Sequence, residues 1–360
     1  MRKAEKTVKI ARFKIEKIDS PLTRPLVISL GTITHSTSVV LTIETDEGVC
    51  GVGEGAASVF VTGETLDGVE AVLRKFEQAL IGTNPMDIEK VHRIMQKTSA
   101  RAFVARTAVD LACYDILGKV SGMPVYKLLG GYSNKIETDI TIGIGDPLQM
   151  AEMAAFHVKK GFRIIKTKVG TGEREDIERI RRIREAVGAD ISIRLDANQA
   201  WTPKEALHMI ERLGEYEIEL VEQPVPYYDI DGLAYVTRHS RIPIMSDESA
   251  FDSRDVFHLV QRHAVDYVNI KLMKCGGIWE ALKINSICEA AGVECMLGCM
   301  AEETNIGITA AASLGAAVKN ITKADLDCQF SLEAFPVSGG VQWGDGQELI
   351  VSDVPGFGFL

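Results

Sequence analysis

Six charged residues recur at equivalent places along one stretch of the chain. Lys166 and Lys168, Asp196, Glu222, Asp247 and Lys271 stand at the ends of short apolar, β-branched runs: GFRIIKTKVG, ISIRLDANQAW, IELVEQPVP, PIMSDES and YVNIKLMKCGG. From Lys166 onward the steps between them are 30, 26, 25 and 24 residues. Each gap has room for one helix, so the pattern is strand, helix, strand, helix, with the charge always at the carboxyl end of a strand. Parallel barrels carry their chemistry at that end. Asp196, Glu222 and Asp247 fall on three successive strands. Three carboxylates converging on one point repel one another unless a cation lies between them, and oxygen ligands in that number suit Mg²⁺. If the lysine pair is on the second strand, Lys271 is on the sixth, diametrically opposite in a ring of eight. Two bases on opposite faces of one carbon are what a racemase or epimerase needs.

A lysine must shed its proton near neutral pH to act as a base. Lys166 and Lys168 lie two apart on a strand and point the same way, so each ammonium is expected to depress the other's pKa. Glu248, next to Asp247 but off its face, is expected to hold a lysine in place. Asn198 and Gln223 are candidates to support the metal ligands.

The elements that must position these groups can be read around them. With 360 residues there is room for two domains or one large barrel with additions. Residues 1–125 read as an α+β lid, 126–329 as the barrel and 330–360 as a return to the lid. In the lid, VVLTIET, the turn Asp46-Glu47-Gly48 and VCGVGEG form a hairpin. Gly51, Gly53 and Gly55 lack the G-x-G-x-x-G spacing of a dinucleotide site. Helical spacing follows over Leu66–Leu80, from Pro85, and over 103–121. Two lid segments, Pro21–Leu26 and Ala56–Glu64, read as loops. The barrel is expected to begin near Glu137 with ETDITIGIG. Gly161 and Gly188 read as helix stops, and Thr202-Pro203-Lys204-Glu205 as a capping box. ECMLGC and KADLD supply the seventh and eighth strands.

Net charge −10 argues against nucleic acid and anionic membranes as partners. Seven cysteines without a C-x-x-C pair suggest a reducing compartment, and Cys275, Cys288, Cys295, Cys299 and Cys328 read as packing residues. The basic start, MRKAEKTVKIARF, has no apolar core of a secretory signal. These features together point to the cytoplasm.

The motifs KTK, LDAN, VEQP, SDES and IKLMKCGG resemble the enolase superfamily in its muconate-lactonizing-enzyme-like branch, and the resemblance covers nearly the whole chain. It implies an α/β fold, a modified TIM barrel of (β/α)7β form under an α+β capping domain. It further implies one Mg²⁺ per subunit at Asp196, Glu222 and Asp247, with Mn²⁺ as a substitute, Lys168 and Lys271 as the bases, and Lys166 assisting at the enolate oxygen. In the family the lid loops close over the barrel mouth and read the substrate side chain, which nominates Arg24; Met300 and Thr141 are further substrate contacts. The mandelate-racemase-like branch uses a histidine at the seventh strand end, where this chain has Gly298-Cys299-Met300.

Asp325 and Asp327 send two carboxylates to the mouth from the eighth strand, a placement similar to that of dipeptide epimerases and suited to a free α-ammonium. An arginine at position 24 would favour an acidic side chain. The expectation is therefore epimerisation of a dipeptide at its C-terminal residue, with Ala-Glu as substrate and cell-wall peptide recycling as the setting. The alternatives are an N-acylamino acid racemase, o-succinylbenzoate synthase, muconate cycloisomerase or a non-catalytic binding barrel. The resemblance also implies a homo-oligomer.

Overall fold

The computed structural model describes residues 8–360; most of the basic start read above, residues 1–7, lies outside them. The chain opens with an antiparallel sheet of β1 (Ile10–Ile28), β2 (Gly31–Thr45) and β3 (Cys50–Ala56), in that order. Helices α1 (Leu66–Leu80), α2 (Ile88–Thr98) and α3 (Phe103–Ser121) cover it, and the single turn α4 (Val125–Leu128) follows. Leu73, Phe76, Val91 and Val109 are among the residues of this unit's own core. The segment Pro21–Leu26, expected as a loop, is part of the long β1 hairpin. Pairing breaks between Pro21↔His35 and Leu26↔Ile33, so this stretch bulges where proline removes a ladder donor. Pro85 lies ahead of α2, whose N-cap is Asp87, rather than opening the helix.

The run Gly51, Gly53, Gly55 has a packing cause. These alternate residues of β3 all face α3. A β-carbon at Gly51 would lie 2.1 Å from the Ala112 carbonyl oxygen, at Gly53 2.0 Å from that of Ala108, and at Gly55 2.9 Å from that of Val104. A strand period of two meets a helix period of four, and only hydrogen fits between them.

The barrel has eight parallel strands: β5 (Ile140–Ile142), β6 (Ile164–Lys168), β7 (Ser192–Asp196), β8 (Ile218–Glu222), β9 (Ile244–Ser246), β10 (Tyr267–Lys271), β11 (Glu294–Gly298) and β12 (Ile321–Asp325). Between them run α5 (Pro147–Lys159), α6 (Glu173–Val187), α7 (Pro203–Leu213), α8 (Ile230–His239), α9 (Ser253–Gln261), the turn α10 (Leu272–Cys275) with α11 (Ile278–Ala291), and α12 (Asn305–Ala317). The capping box at Thr202 and Glu205 forms as expected. The barrel's first strand is shorter than expected. Lys135–Glu137 is a separate strand, β4, which pairs with β14 (Glu348–Ile350) and through it with β13 (Gln342–Trp343). The ring closes between β5 and β12 largely through side chains. Asp139 N donates to Ala324 O at 3.1 Å, Leu326 N to Thr138 Oγ1 at 2.7 Å and Thr141 N to Asp327 Oδ2 at 2.5 Å.

Polar ties from β3 and α3 help hold the first unit over the carboxyl ends of the strands. Glu54 of β3 accepts Thr304 N at 3.0 Å and Gly307 N at 2.8 Å, capping α12. Asp110 of α3 accepts Ile278 N at 2.6 Å, capping α11, and pairs with His92 at 2.6 Å. Thr107 Oγ1 donates to Leu272 O at 2.7 Å. The C-terminal segment returns to the same place: Phe357 N donates to Asp115 of α3 and Gly356 O accepts Val125 N. No described helix is long and apolar enough to cross a membrane.

Gly53→Ala should lower the stability of the folded chain by about 3 kcal/mol, since backbone rather than a flexible side chain must yield. Gly48→Ala, in open space at φ +77, should cost only about 1 kcal/mol. Urea unfolding of both variants checks this; equal effects would show that β3 and α3 part easily.

Candidate active site

The six strand-end charges meet where the sequence pattern predicts. Lys166, Lys168, Asp196, Glu222, Asp247 and Lys271 are all buried at the barrel mouth, from β6, β7, β8, the turn after β9, and β10. Lys166 Nζ lies 2.6 Å from Asp325 Oδ2, 2.6 Å from Glu222 Oε2 and 3.3 Å from Asp196 Oδ2. Lys168 donates to Asp196 Oδ2 at 2.6 Å, and Lys271 to Asp247 Oδ2 at 2.9 Å. Gly298 leaves the room Lys271 occupies: a β-carbon there would lie 3.0 Å from its Cε and 2.6 Å from Asn269 Oδ1.

At Lys166 the depression expected from its neighbour Lys168 is not what the buried site produces. Burial alone would push both Lys166 and Lys271 down. Asp325, Glu222 and Asp196 outweigh it at Lys166, as Asp247 and Glu222 do at Lys271, and both ammoniums are held above the ordinary lysine range. The partners respond unequally. Burial would raise Asp247, but Lys271 and Lys274 hold it below the usual carboxylate range. Glu222 is pushed up to about 7 by burial and by Asp196, against the pull of Lys166.

The backbone around the ligand set is shaped for it. Asn198 and Gln223 take left-handed turns directly after β7 and β8, at φ 41 and 37. Asn198 N donates to Asp196 Oδ1 at 2.9 Å. The Gln223 side-chain oxygen accepts Asp247 N at 2.9 Å and Ser249 N at 3.2 Å, so one amide couples two ligand turns. Glu248 does not hold a lysine. Its Oε1 faces the amides of Asn198 and Gln199 at 3.3 and 3.2 Å, out of reach of the ammoniums that Asp247 takes.

Two contributors escape a reading by strand ends. Lys274, one turn past Lys271, is fully buried and donates to Asp247 Oδ1 at 2.5 Å, to Asp247 O at 2.5 Å and to Asn269 O at 3.1 Å. Two of its three N–H groups are thus spent on fixing Asp247, and the third ties it to β10. Asn269 Nδ2 donates to Glu222 Oε1 at 2.6 Å. The second lysine of IKLMKCGG and the inward asparagine two before Lys271 were the available signals.

Among the described residues, no three His, Cys, Asp or Glu side chains converge closely enough to hold an ion as they stand. The lysine ammoniums lie between the carboxylates. The donor set nevertheless fits a hard divalent cation. Asp196, Glu222 and Asp247 are fully buried oxygens. Glu222 Oε2 meets Lys166 at an angle that closes no hydrogen bond, and Glu248 Oε2 has no partner. Glu222 and Glu248 both rise to about 7 through burial and neighbouring acids, so the lysines leave negative charge uncompensated.

A cavity of about 610 Å³ opens onto these groups. Lys168 and Lys271 line it, as do Thr141, Met300, Asp325 and Asp327, and Arg24 borders it from β1. Thr141 Oγ1 donates to Asp325 Oδ1 at 3.2 Å, and Asp325 is otherwise committed to Lys166. Asp327 keeps spare acceptor capacity and is pushed up to about 6 by burial and by Asp325. Arg24 is solvent-exposed and pairs with no carboxylate among the described residues. Leu22, Ile28, Ile33, Phe60 and Val61 make the lid side of the cavity apolar.

Comparisons with known proteins agree with this geometry. Residues 12–130 match the family model of the mandelate racemase / muconate lactonizing enzyme N-terminal domain, and residues 149–359 that of the enolase C-terminal domain-like family. The chain is 56% identical over 334 residues to the hydrophobic dipeptide epimerase of Enterococcus faecalis, covering 93% of this chain and 94% of that protein. It superposes on a crystal structure of the dipeptide epimerase from E. faecalis V583 complexed with Mg and the dipeptide L-Leu-L-Tyr, with TM-score 0.96 and 54% identity over 98% of this chain and 99% of that one. A substrate-liganded complex of the L-Ala-D/L-Glu epimerase from Bacillus subtilis gives TM-score 0.95 at 40% identity, over 98% and 99%.

Lys274→Met should weaken Mn²⁺ binding by the metal-free protein at least tenfold in calorimetry, because Asp247 loses the clamp on its backbone and on Oδ1. The same change leaves a buried carboxylate short of one partner and should cost about 3 kcal/mol of stability. Unchanged affinity would show that Asp247 keeps its orientation without Lys274.

Proposed function

This chain belongs to the mandelate racemase/muconate lactonizing enzyme family of the enolase superfamily, and from that premise we propose that it is a Mg²⁺-dependent epimerase of dipeptides. The observation that carries the reading is a single cavity lined by lysines from the second and sixth strands of an eight-stranded ring, above a buried carboxylate set. Asp196, Glu222 and Asp247 hold the ion. Bound there, Mg²⁺ would supply a Lewis acid for the substrate's C-terminal carboxylate and would offset part of the negative charge that builds as the α-proton leaves. Lys168 removes or returns that proton on one face of the α-carbon, and Lys271 does so on the other. Lys166, gripped by three carboxylates, stays charged beside the reacting group. Asp327, with free acceptor capacity, receives the ammonium of the N-terminal residue, and Asp325 supports it from the Lys166 pair. The helices and lid exclude water from the lysines between the two transfers.

The side chain of the inverted residue projects toward the lid, and the apolar lid wall favours a hydrophobic one. Dipeptides with hydrophobic residues are therefore the leading substrates. Arg24 supports a second reading, Ala-Glu, because its guanidinium borders the same cavity and pairs with no carboxylate among the described residues.

Steady-state kinetics separate the two: kcat/KM for Leu-Leu or Leu-Tyr should exceed that for Ala-Glu by about tenfold or more, and the reverse order would transfer the assignment to Ala-Glu. In deuterated water, Lys168→Ala should exchange the α-proton of one epimer only and Lys271→Ala that of the other, while neither interconverts them. An epimerisation rate near the parent's in either variant would overturn the two-base reading.

Asp327 gives a pH signature. Its carboxylate form, the form that pairs with ammonium, is lost as pH falls through about 6. KM for free dipeptides should rise below that pH, and KM for N-acetylated dipeptides should not. A flat KM for the free dipeptides would remove Asp327 from the contact.

A further inference from the structure

Apart from Thr23 and Arg24 at its exposed rim, the lid side of the cavity is apolar except at one place. Ser58, just after β3, and Glu302, between β11 and α12, both line the cavity and are both buried, at 1% and 5% exposure. Ser58 Oγ and Glu302 Oε2 have no hydrogen-bond partner. Burial pushes the Glu302 carboxyl up, and the Ser58 hydroxyl beside it pulls the other way. Lys271 lines the same cavity.

The arrangement is held from behind. Ser36 Oγ of β2 donates to the Glu302 backbone oxygen at 2.7 Å. The Ser58 carbonyl accepts Thr62 N and Gly63 N at 3.0 Å each and Thr62 Oγ1 at 2.9 Å. Both backbones are therefore fixed by polar contacts that do not use the two side-chain tips. An acceptor left buried without a donor costs about 1–3 kcal/mol, and a fold keeps such a cost where a ligand relieves it.

We propose that Glu302, with Ser58 beside it, is a specificity-determining subsite that reads a hydrogen-bond donor at the tip of the inverted residue's side chain. The substrate class is a dipeptide whose C-terminal residue has an apolar body and a donor end. The body packs on Leu22, Ile28, Ile33 and Phe60, and the tip donates to Glu302. Two side chains share that chemistry: a tyrosine phenol and a lysine ammonium. This inference rests on the epimerase reading above and adds to it which hydrophobic dipeptides are preferred. Sites built to bond a substrate hydroxyl discriminate strongly against the analogue lacking it, because the acceptor is then stranded.

Matched pairs test it on the Mg²⁺-loaded enzyme: Leu-Tyr against Leu-Phe, and Leu-Lys against Leu-norleucine. At least one donor-bearing member should be preferred in kcat/KM by about tenfold, and which pair shows it tells phenol from ammonium. Glu302→Leu should collapse that ratio toward one, and Ser58→Ala should reduce it. Ratios near one in both pairs with the parent enzyme would overturn the proposal, as would an undiminished ratio in Glu302→Leu. Should Glu302→Leu fail to fold, the parent ratios and Ser58→Ala decide. If no dipeptide is epimerised at all, the reaction assigned to the family site fails; if dipeptides turn over without regard to the donor, only the subsite fails.

Discussion

The architecture depends on how one buried ammonium is neutralised. Lys166 reaches carboxylates from the third, fourth and eighth barrel strands while itself standing on the second. An unpaired charge at that depth is costly enough that the group would shed its proton, so an ammonium is kept there only because these strands bring their acids to one point. The same balance sets the direction of the shifts at Lys166, Lys271, Asp247 and Glu222. Burial opposes each charge, and the arrangement of opposite charges decides which group prevails. Lys271 and Asp247 prevail together because Lys274 adds a second cation to Asp247. Glu222 does not, because its neighbours Asp196 and Asp247 share its sign.

Much of this was legible in the sequence, for a physical reason. Parallel strands place chemistry at one end only, so a strand period followed by a charge and a turn carries position and function together. That logic located Lys166, Lys168, Asp196, Glu222, Asp247 and Lys271, the barrel order, and the helix punctuation at Thr202. It missed what is not periodic. Lys274 lies on a one-turn helix, and its burial follows from contacts with Asp247 and Asn269 that no local pattern announces. Glu248 was expected beside a lysine because it adjoins Asp247. The geometry instead turns it toward the amides of Asn198 and Gln199. Lys166 adjoins a second lysine in sequence, but carboxylates distant in sequence surround it in the fold.

Local composition also misled where two rules competed. Pro21 to Leu26 carries two prolines and reads as a loop, yet a long hairpin absorbs the irregularity as a bulge. ETD before the first barrel strand continues an apolar-polar alternation, but Lys135–Glu137 is claimed by the C-terminal return through β14. The glycine row of β3 shows the opposite case. Its spacing excluded a nucleotide loop from sequence, and its cause became visible only with α3 lying against it.

The seam between β5 and β12 gives the barrel the mechanics of a hoop with a buckle. Seven joints are backbone ladders, and the eighth is fastened by Thr138, Thr141 and Asp327, with Asp325 tied across it to Lys166. Of these fastening groups, Thr141, Asp325 and Asp327 also face the cavity. A substitution there alters the tension of the hoop at the same time as it alters the pocket, so that side of the mouth can drift only as fast as the fold tolerates. The residues of the lid wall fasten nothing in the ring. Variation in what the cavity accepts can accumulate on them while the buckle stays shut.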